Sequence, residues 1–379
     1  MSKLPGTTVI ITSGHDYRAG SRASMHSIAE TLAEFGHDVH FLSVGFSPLS
    51  WLQMDRRRAL WRRANRAELV NDVHCYLWST VFHPVNPHVR GLTTLATPMY
   101  RLYQRYPSRF IDNVLRSATI IIVESGIGVL LLSRARALSP FGKIVYLASD
   151  HLPTLGSHPI VQSELESCAS IIDHVYVTSA RMVDKFAWAS GKLFVIRHGL
   201  NPEDFGGETK NPYSAGHNGV SVGSMLFDPN FFIHAAGQFP NVAFHVIGAH
   251  SAATFPPNVR FYSEMKFKET VPYLKHATFG IAPYRVAPGC EYLCDTSVKL
   301  MQYDFLGLPA VCPNFSVGDN SNRIGYVPGD AESIRAAVTT ALLRPHRMMP
   351  NPHPTWREVT LRLLNPNPDP IRMGLFCGG

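Results

Sequence analysis

Two successive series of β-branched apolar runs, each alternating with helix-length segments, constrain this chain more than any other feature. Strands that take turns with helices are joined by crossovers, and crossovers make parallel sheets. In the first series the predicted strands fall at residues 7–11, 38–43, 73–78, 120–123, 143–148, 174–178 and 192–196, with helices over 23–35, 97–106, 128–137 and 163–170. Gly36 supplies the stop for the first of these helices. The loop His198-Gly199-Leu200-Asn201 then leads into a polar stretch rich in Gly and Pro over 202–218. The second series follows, with strands at 220–222, 243–247, 259–262, 279–282 and 310–312 and helices over 230–238, 268–276 and 297–306. The expected division is therefore a Rossmann-like domain over 1–200, a linker over 201–218, and a second domain over 219–350. A tail over 351–379, carrying a helix at 355–364, is expected to cross back toward the first domain before the prolines of 365–370 forbid regular structure.

With 379 residues, 45% of them apolar, the chain can bury two cores. The longest apolar candidate, 119–132, is broken by Glu124, Ser125 and Gly126 and falls short of the roughly 18 residues that span a bilayer. The first residues lead almost directly into a strand without the apolar core of a secretory signal, so the expected location is cytoplasmic. Six scattered cysteines fit neither a disulfide framework nor paired zinc ligands, Cys290 and Cys294 being the one close pair, and are read as reduced thiols. The formal net charge of +7 favours polyanionic partners, whether nucleic acid, anionic lipid or phosphorylated substrate.

The segment Ser297 to Val311 carries the most chemistry. It puts Ser297 and Lys299 at the start of a helix that ends at Gly307 and feeds a buried strand. A helix N-terminus offers unpaired N–H groups and partial positive charge, so a hydroxyl and an ammonium there suit a diphosphate. Gln302, one turn on and on the same face, can hydrogen-bond a ribose hydroxyl. Each of these residues taken alone also fits ordinary surface or core packing in a doubly wound domain. The segment resembles the donor-site motif of GT-B glycosyltransferases, with Gln302 where many retaining members carry glutamate, and with Lys299 eight residues after Glu291 instead of a Glu-x7-Glu pattern. That resemblance implies a GT-B fold of two Rossmann-like domains with parallel sheets facing across a cleft. It also implies that Ser224 and Met225 lie in a loop closing over the phosphates, that Glu264 and Met265 lie in the nucleobase loop, and that Tyr284 flanks the base or sugar. No Asp-x-Asp motif occurs in the chain, so no metal or other cofactor is expected beside the nucleotide sugar.

An inverting transfer needs a general base at the carboxyl end of a strand in the first domain. Asp150, in the loop after the strand at 143–148, meets that requirement, although a loop aspartate there can equally cap a helix. His151 and the loop around His15 are rivals, and Glu124 at the end of its own strand is a weaker one. His15, Asp16, Tyr17 and Arg18 are expected to line the acceptor cleft. Between Trp51 and Arg66, arginines 56, 57, 58, 62, 63 and 66 are interleaved with Trp51, Leu52, Met54, Leu60 and Trp61. Such a segment suits an anionic membrane surface, with Trp51, Arg56, Arg57, Arg58, Trp61 and Arg62 in contact with it and Tyr100, Tyr103 and Tyr106 extending the patch. A solvated basic helix is the plain alternative; no nucleic-acid module accompanies it.

Along essentially its whole length, including Ser13 to Arg18, the loop Ala148 to Leu152 and the donor helix, the chain resembles the β-1,2-glucuronosyltransferases of bacterial xanthan assembly. The resemblance implies UDP-glucuronate as donor, a mannosyl-cellobiose on polyprenyl diphosphate as acceptor, Asp150 as base, and a peripheral position on the cytoplasmic face of the inner membrane. Two alternatives stay open from the residues themselves: a GT-B transferase for another nucleotide sugar, and a non-catalytic two-domain protein that binds membranes or polyanions.

Overall fold

The computed structural model describes residues 6–20, 22–52, 55–347 and 353–366. The chain divides into two compact units, one running to Arg197 and taking in the segment from Trp356, the other spanning His198–Thr355.

The first unit holds eight strands: β1 (Thr7–Ser13), β2 (Asp38–Phe46), β3 (Glu68–Val70), β4 (Val73–Ser79), β5 (Ala118–Glu124), β6 (Lys143–Ala148), β7 (His174–Val177) and β8 (Leu193–Val195). Their order is β3-β4-β2-β1-β5-β6-β7-β8, parallel throughout except for the antiparallel edge strand β3. Val9, Ile10 and Ile11 are wholly buried, as expected for a central parallel strand covered on both faces. Helix Ser24–Glu34 lays Met25, Ile28 and Leu32 onto this sheet. Each such side chain contributes about 1.5–3 kcal/mol by leaving water. The tail helix Trp356–Leu364 completes the same core with Trp356, Val359 and Leu363. Tyr176 Oη donates to the Arg362 carbonyl at 2.9 Å, and Lys143 Nζ to that of Leu364 at 2.9 Å.

The second unit is a six-stranded, wholly parallel sheet of β9 (His217–Val222), β10 (Val242–Ile247), β11 (Val259–Tyr262), β12 (Phe279–Ile281), β13 (Ala310–Pro313) and β14 (Arg323–Tyr326), in the order β11-β10-β9-β12-β13-β14. Helix Val298–Phe305 is fixed to it by Tyr303, whose hydroxyl donates toward the carbonyls of Val220 and Ile281, 3.1 Å from each. Gly280 makes room for that ring, because a Cβ there would stand 2.5 Å from it. One residue along, Asp304 forms a buried ion pair with Arg323 of β14 at 2.6 Å.

Several expectations shift. The stretch expected as a linker is packed on the second unit: Phe205 meets Phe267 edge-on and Phe305 at a tilt, Tyr213 Oη donates to the Tyr273 carbonyl at 2.7 Å, and Lys275 Nζ donates to that of Gly207 at 2.6 Å. Aromatic side chains in a polar stretch find a core, so the division falls at Arg197/His198. The helix expected over 97–106 runs as Arg90–Gln104. Thr97-Pro98 reads as a helix start because proline is favoured there, yet Pro98 sits inside this helix. The segment expected as one amphipathic helix is instead a short turn of helix, Leu49–Leu52, and a 3₁₀ helix, Arg56–Arg63. The five described cysteines, Cys75, Cys168, Cys290, Cys294 and Cys312, are all buried; Cys377, Met54 and the end of the tail lie outside the described residues.

Removing one partner of the buried Asp304–Arg323 pair leaves a desolvated guanidinium, a loss of about 3–5 kcal/mol. Asp304→Ala is therefore expected to lower the calorimetric transition of the second unit by several degrees. An unchanged transition would show that the pair contributes nothing.

Candidate functional site

In the first unit, the carboxyl ends of β1, β2, β5 and β6 converge on a cavity of about 370 Å³ whose lining includes Ser13, His15, Arg57, Glu124, Ser125 and Asp150. β1 is bonded to β2 on one side and to β5 on the other. Chain connections leave this point in opposite directions, which opens a crevice above the strand ends. Gly126 (φ +137°) turns the chain out of β5, and any Cβ there would run into Ser13 Oγ.

Asp150 is half-buried, with its N–H donating to Ser125 Oγ at 3.0 Å. Beside it, Glu124 is buried and accepts hydrogen bonds from Thr12 Oγ1 and, at 3.1 Å, from Ser149 Oγ. Withdrawal from water pushes the Glu124 carboxyl up to about 7, with the negative charge of Asp150 adding to the effect against the two hydrogen bonds. His15 is driven down to about 3 by desolvation and by the positive charge of His26, Arg57 and Arg56, and so is neutral. His151, the neighbour of Asp150, is not part of the cavity lining.

In the second unit the corresponding divergence lies at β9, which is bonded to β10 on one side and β12 on the other. Ser297 caps helix Val298–Phe305, its Oγ accepting from the Leu300 N–H at 3.2 Å. The same hydroxyl hydrogen-bonds the Tyr284 hydroxyl. Lys299 is buried, with Nζ 5.2 Å from the centroid of the Tyr284 ring and 3.5 Å from the Gly223 carbonyl at the end of β9. Burial lowers Lys299 to about 7, so the ammonium is poised to gain from an incoming anion. The loop after β9 is stitched to the end of β12 by two backbone bonds of 2.8 Å, Asp228 N–H to the Pro283 carbonyl and Arg285 N–H to that of Leu226. Ser224 and Met225 ride on this loop, exposed and half-buried respectively. Glu264 and Met265 follow β11 and are half-buried, as is Gln302 one turn into the helix. A cationic, amide-rich helix start at a strand divergence is chemically suited to a nucleoside diphosphate.

A family model described as the N-terminal domain of the glucuronosyltransferase GumK matches residues 11–178. A relative from Xanthomonas campestris pv. campestris, UDP-glucuronate:glycolipid 2-beta-glucuronosyltransferase, is 40% identical over 365 residues, covering 95% of this chain and 90% of its own. The chain belongs to the GumK glucuronosyltransferase family. Solved structures agree on the GT-B fold. Sucrose-phosphate synthase of Thermosynechococcus elongatus is 13% identical with a TM-score of 0.64, covering 95% of each chain. The E. coli trehalose-6-phosphate enzyme structure bound with UDP-2-fluoro glucose is 10% identical with a TM-score of 0.59, again covering 95% of each. Anabaena HepE in complex with UDP and glucose is 11% identical with a TM-score of 0.55, covering 89% of this chain and 90% of its own.

Within this GumK-family glycosyltransferase, Tyr284 meets both Ser297 and Lys299, and Asp150 and Glu124 share one cavity. Of the four residues expected in the acceptor cleft, only His15 lines the cavity. Asp16 and Arg18 turn inward as a bidentate pair with both bonds at 2.8 Å, extended to Glu68 at 3.1 Å. Tyr17 packs against His26 and Phe41 in the core. Their polar groups are satisfied inside the fold and do not face the cavity.

The expected membrane set is corrected at Arg57, which is only 3% exposed. The register of β2 against β4 shifts between Ser43 and Phe46. Arg57 donates to the Val44 and Gly45 carbonyls there at 2.7 and 2.9 Å and pairs with Asp55 at 2.8 Å. Trp51, Arg56, Trp61 and Arg62 are exposed and Arg58 is half-buried. Tyr100 and Tyr103 are buried, so they do not extend a surface patch. Instead Leu92, Leu95, Met99 and Leu102 form an exposed stripe on helix Arg90–Gln104. The 3-4-3 spacing of these residues is present in the sequence, but a helix expected over 97–106 leaves out Leu92 and Leu95. Ser125 and His83, also cavity-lining, have no distinguishing sequence pattern, and the cluster of arginines around Arg57 points to a surface instead, because strand ends far apart in sequence bring these residues together.

The raised Glu124 pKa makes the first unit sensitive to pH. Its folded value of about 7 lies above the ordinary carboxyl value of 4.5, so the folded state holds the extra proton between those limits. Stability from this group is greatest below 4.5 and is lost as pH rises through 7. Glu124→Gln should flatten thermal stability across that window, which melting curves at pH 5 and pH 8 will test; an unaltered slope would place the titration elsewhere.

Proposed function

We propose that this glycosyltransferase moves glucuronic acid from UDP-glucuronate to a mannose hydroxyl of a mannosyl-cellobiose carried on polyprenyl diphosphate, with inversion and without a metal ion. The observation that carries the reading is the likeness, over 95% of the chain, to a relative whose name specifies UDP-glucuronate, a glycolipid and a 2-beta linkage. UDP sugars are α-linked, so a β product requires displacement from the opposite face. The acceptor oxygen forms its bond to the anomeric carbon as the bond to the diphosphate breaks, and the hydroxyl proton passes to Asp150. Glu124, Ser149 and Ser125 hold the strand end that carries this carboxylate. Lys299, Ser297 and the amides of the helix start take up the charge growing on the diphosphate, the task a divalent cation performs in metal-dependent transferases. Gln302, Glu264, Met265 and Tyr284 are assigned to the nucleoside, and Ser224 and Met225 to the phosphates.

A lipid-linked acceptor requires access to a membrane surface. Among the described residues no helix is long and apolar enough to cross a bilayer. The stripe Leu92, Leu95, Met99 and Leu102, with exposed Arg101 on the same helix, suits interfacial binding on anionic lipid, and exposed Trp51 and Trp61 suit the headgroup layer. We infer a peripheral enzyme on the cytoplasmic leaflet, with no nucleic-acid partner.

Asp150→Ala should leave UDP binding intact and reduce labelled glucuronate transfer to bacterial glycolipid by roughly 10²-fold or more; retained turnover would remove the base assignment. Lys299→Ala should weaken UDP about tenfold or more. In the parent protein UDP affinity should fall as pH rises above the Lys299 value of about 7, because the neutral amine cannot pair with phosphate. Calorimetric titrations at pH 7 and pH 9 check both, and equal affinities in parent and variant would move the phosphate site away from this helix.

Leu95→Asp with Leu102→Asp should abolish sedimentation with vesicles containing anionic lipid while leaving UDP binding unchanged. Undiminished sedimentation would assign the membrane face to another surface.

A further inference from the structure

At the end of the first sheet opposite the cavity, Asp38 begins β2, His40 follows two residues later on the same face, and His74 of β4 is the direct cross-strand partner of His40. Their imidazoles stack with centroids 4.7 Å apart. The Asp38 carboxylate bridges their Nε2 atoms, Oδ2 at 3.2 Å from His40 Nε2 and Oδ1 at 3.3 Å from His74 Nε2. All three ligand atoms fall within 4.8 Å of one another.

We propose that Asp38, His40 and His74 bind one first-row divalent metal ion, zinc foremost, as a clamp between β2 and β4. Imidazole and carboxylate together suit zinc, and its bonds of about 2.0–2.1 Å give tetrahedral edges of about 3.3–3.4 Å. With Asp38 offering one oxygen, one nitrogen–oxygen separation already matches such an edge, and the remaining ligand atom lies within 4.8 Å of the others. Strand geometry produces the match: residues two apart on β2 share a face, and a register pair brings the third ligand alongside. Thr7 Oγ1 donates to Asp38 Oδ2 at 3.4 Å and orients the carboxylate from the neighbouring strand β1, the kind of outer contact that metal-binding carboxylates use. The other nitrogen of His40 is buried without a hydrogen-bond partner, so the cluster is the edge at which this ring meets polar groups. Asp38 and His74 are partly exposed, which leaves an approach for the ion and a position for water. The site lies at the amino ends of the strands, remote from the carboxyl-end cavity, and is independent of the metal-free transfer proposed above.

The test uses tag-free full-length protein stripped with a chelator and titrated with zinc chloride against a fluorescent zinc indicator, with thermal melts in parallel. One zinc per chain is expected, with a rise in melting temperature that chelator reverses. Affinity should be at least tenfold weaker in His74→Ala and in Asp38→Asn, whose exposed positions leave the core intact, and unchanged in His217→Ala on the second unit. Cobalt substituted for zinc should give visible absorption of four- or five-coordinate strength. Absence of stoichiometric zinc, or equal binding by the parent and both cluster variants, overturns the proposal.

Discussion

The Tyr303 hydroxyl, shared between the carbonyls of Val220 and Ile281, determines where the second unit can place charge. Those carbonyls belong to β9 and β12, the strands between which the winding direction of the sheet reverses. A hydroxyl wedged there sets the helix over the crevice, and the helix start with Ser297 and Lys299 follows from it. The bare backbone of Gly280 is the matching concession, since a methyl group at that point would displace the ring. In the first unit, Glu124 plays a comparable part, collecting hydroxyls from β1 and from the end of β6 so that the neighbouring carboxylate is held at the strand termini.

Both units keep an ionisable group away from its preferred state. Lys299 is pulled down and Glu124 pushed up, each chiefly by loss of water, until both titrate near neutrality. Such groups respond strongly to the arrival of opposite charge or of a proton donor, which is why they gather where substrates bind. The buried pairs Asp304–Arg323 and Asp16–Arg18 are the contrast, with their hydrogen bonds closed internally.

Periodicity and punctuation make the doubly wound pattern legible in the sequence. The donor helix was readable because Ser297, Lys299 and Gln302 lie close in sequence and Gly307 stops the helix. The first-unit cavity was less so, since Ser13, Arg57, Glu124 and Asp150 come from four separate strand ends or loops and only topology unites them. Charge alone misled at Arg57, where a backbone irregularity in β2 leaves carbonyls in need of a donor and draws the guanidinium inward. The same held at Asp16 and Arg18, which look like site residues in sequence and satisfy one another in the fold.

The helix Trp356–Leu364 belongs to the core built on β1, although more than three hundred residues separate them. On a ribosome, therefore, the first unit cannot close its apolar floor until the segment from Trp356 has been made, whereas His198–Thr355 emerges as a contiguous piece and can fold earlier. Until then the face formed by Met25, Ile28 and Leu32 lacks the cover that Trp356, Val359 and Leu363 give it.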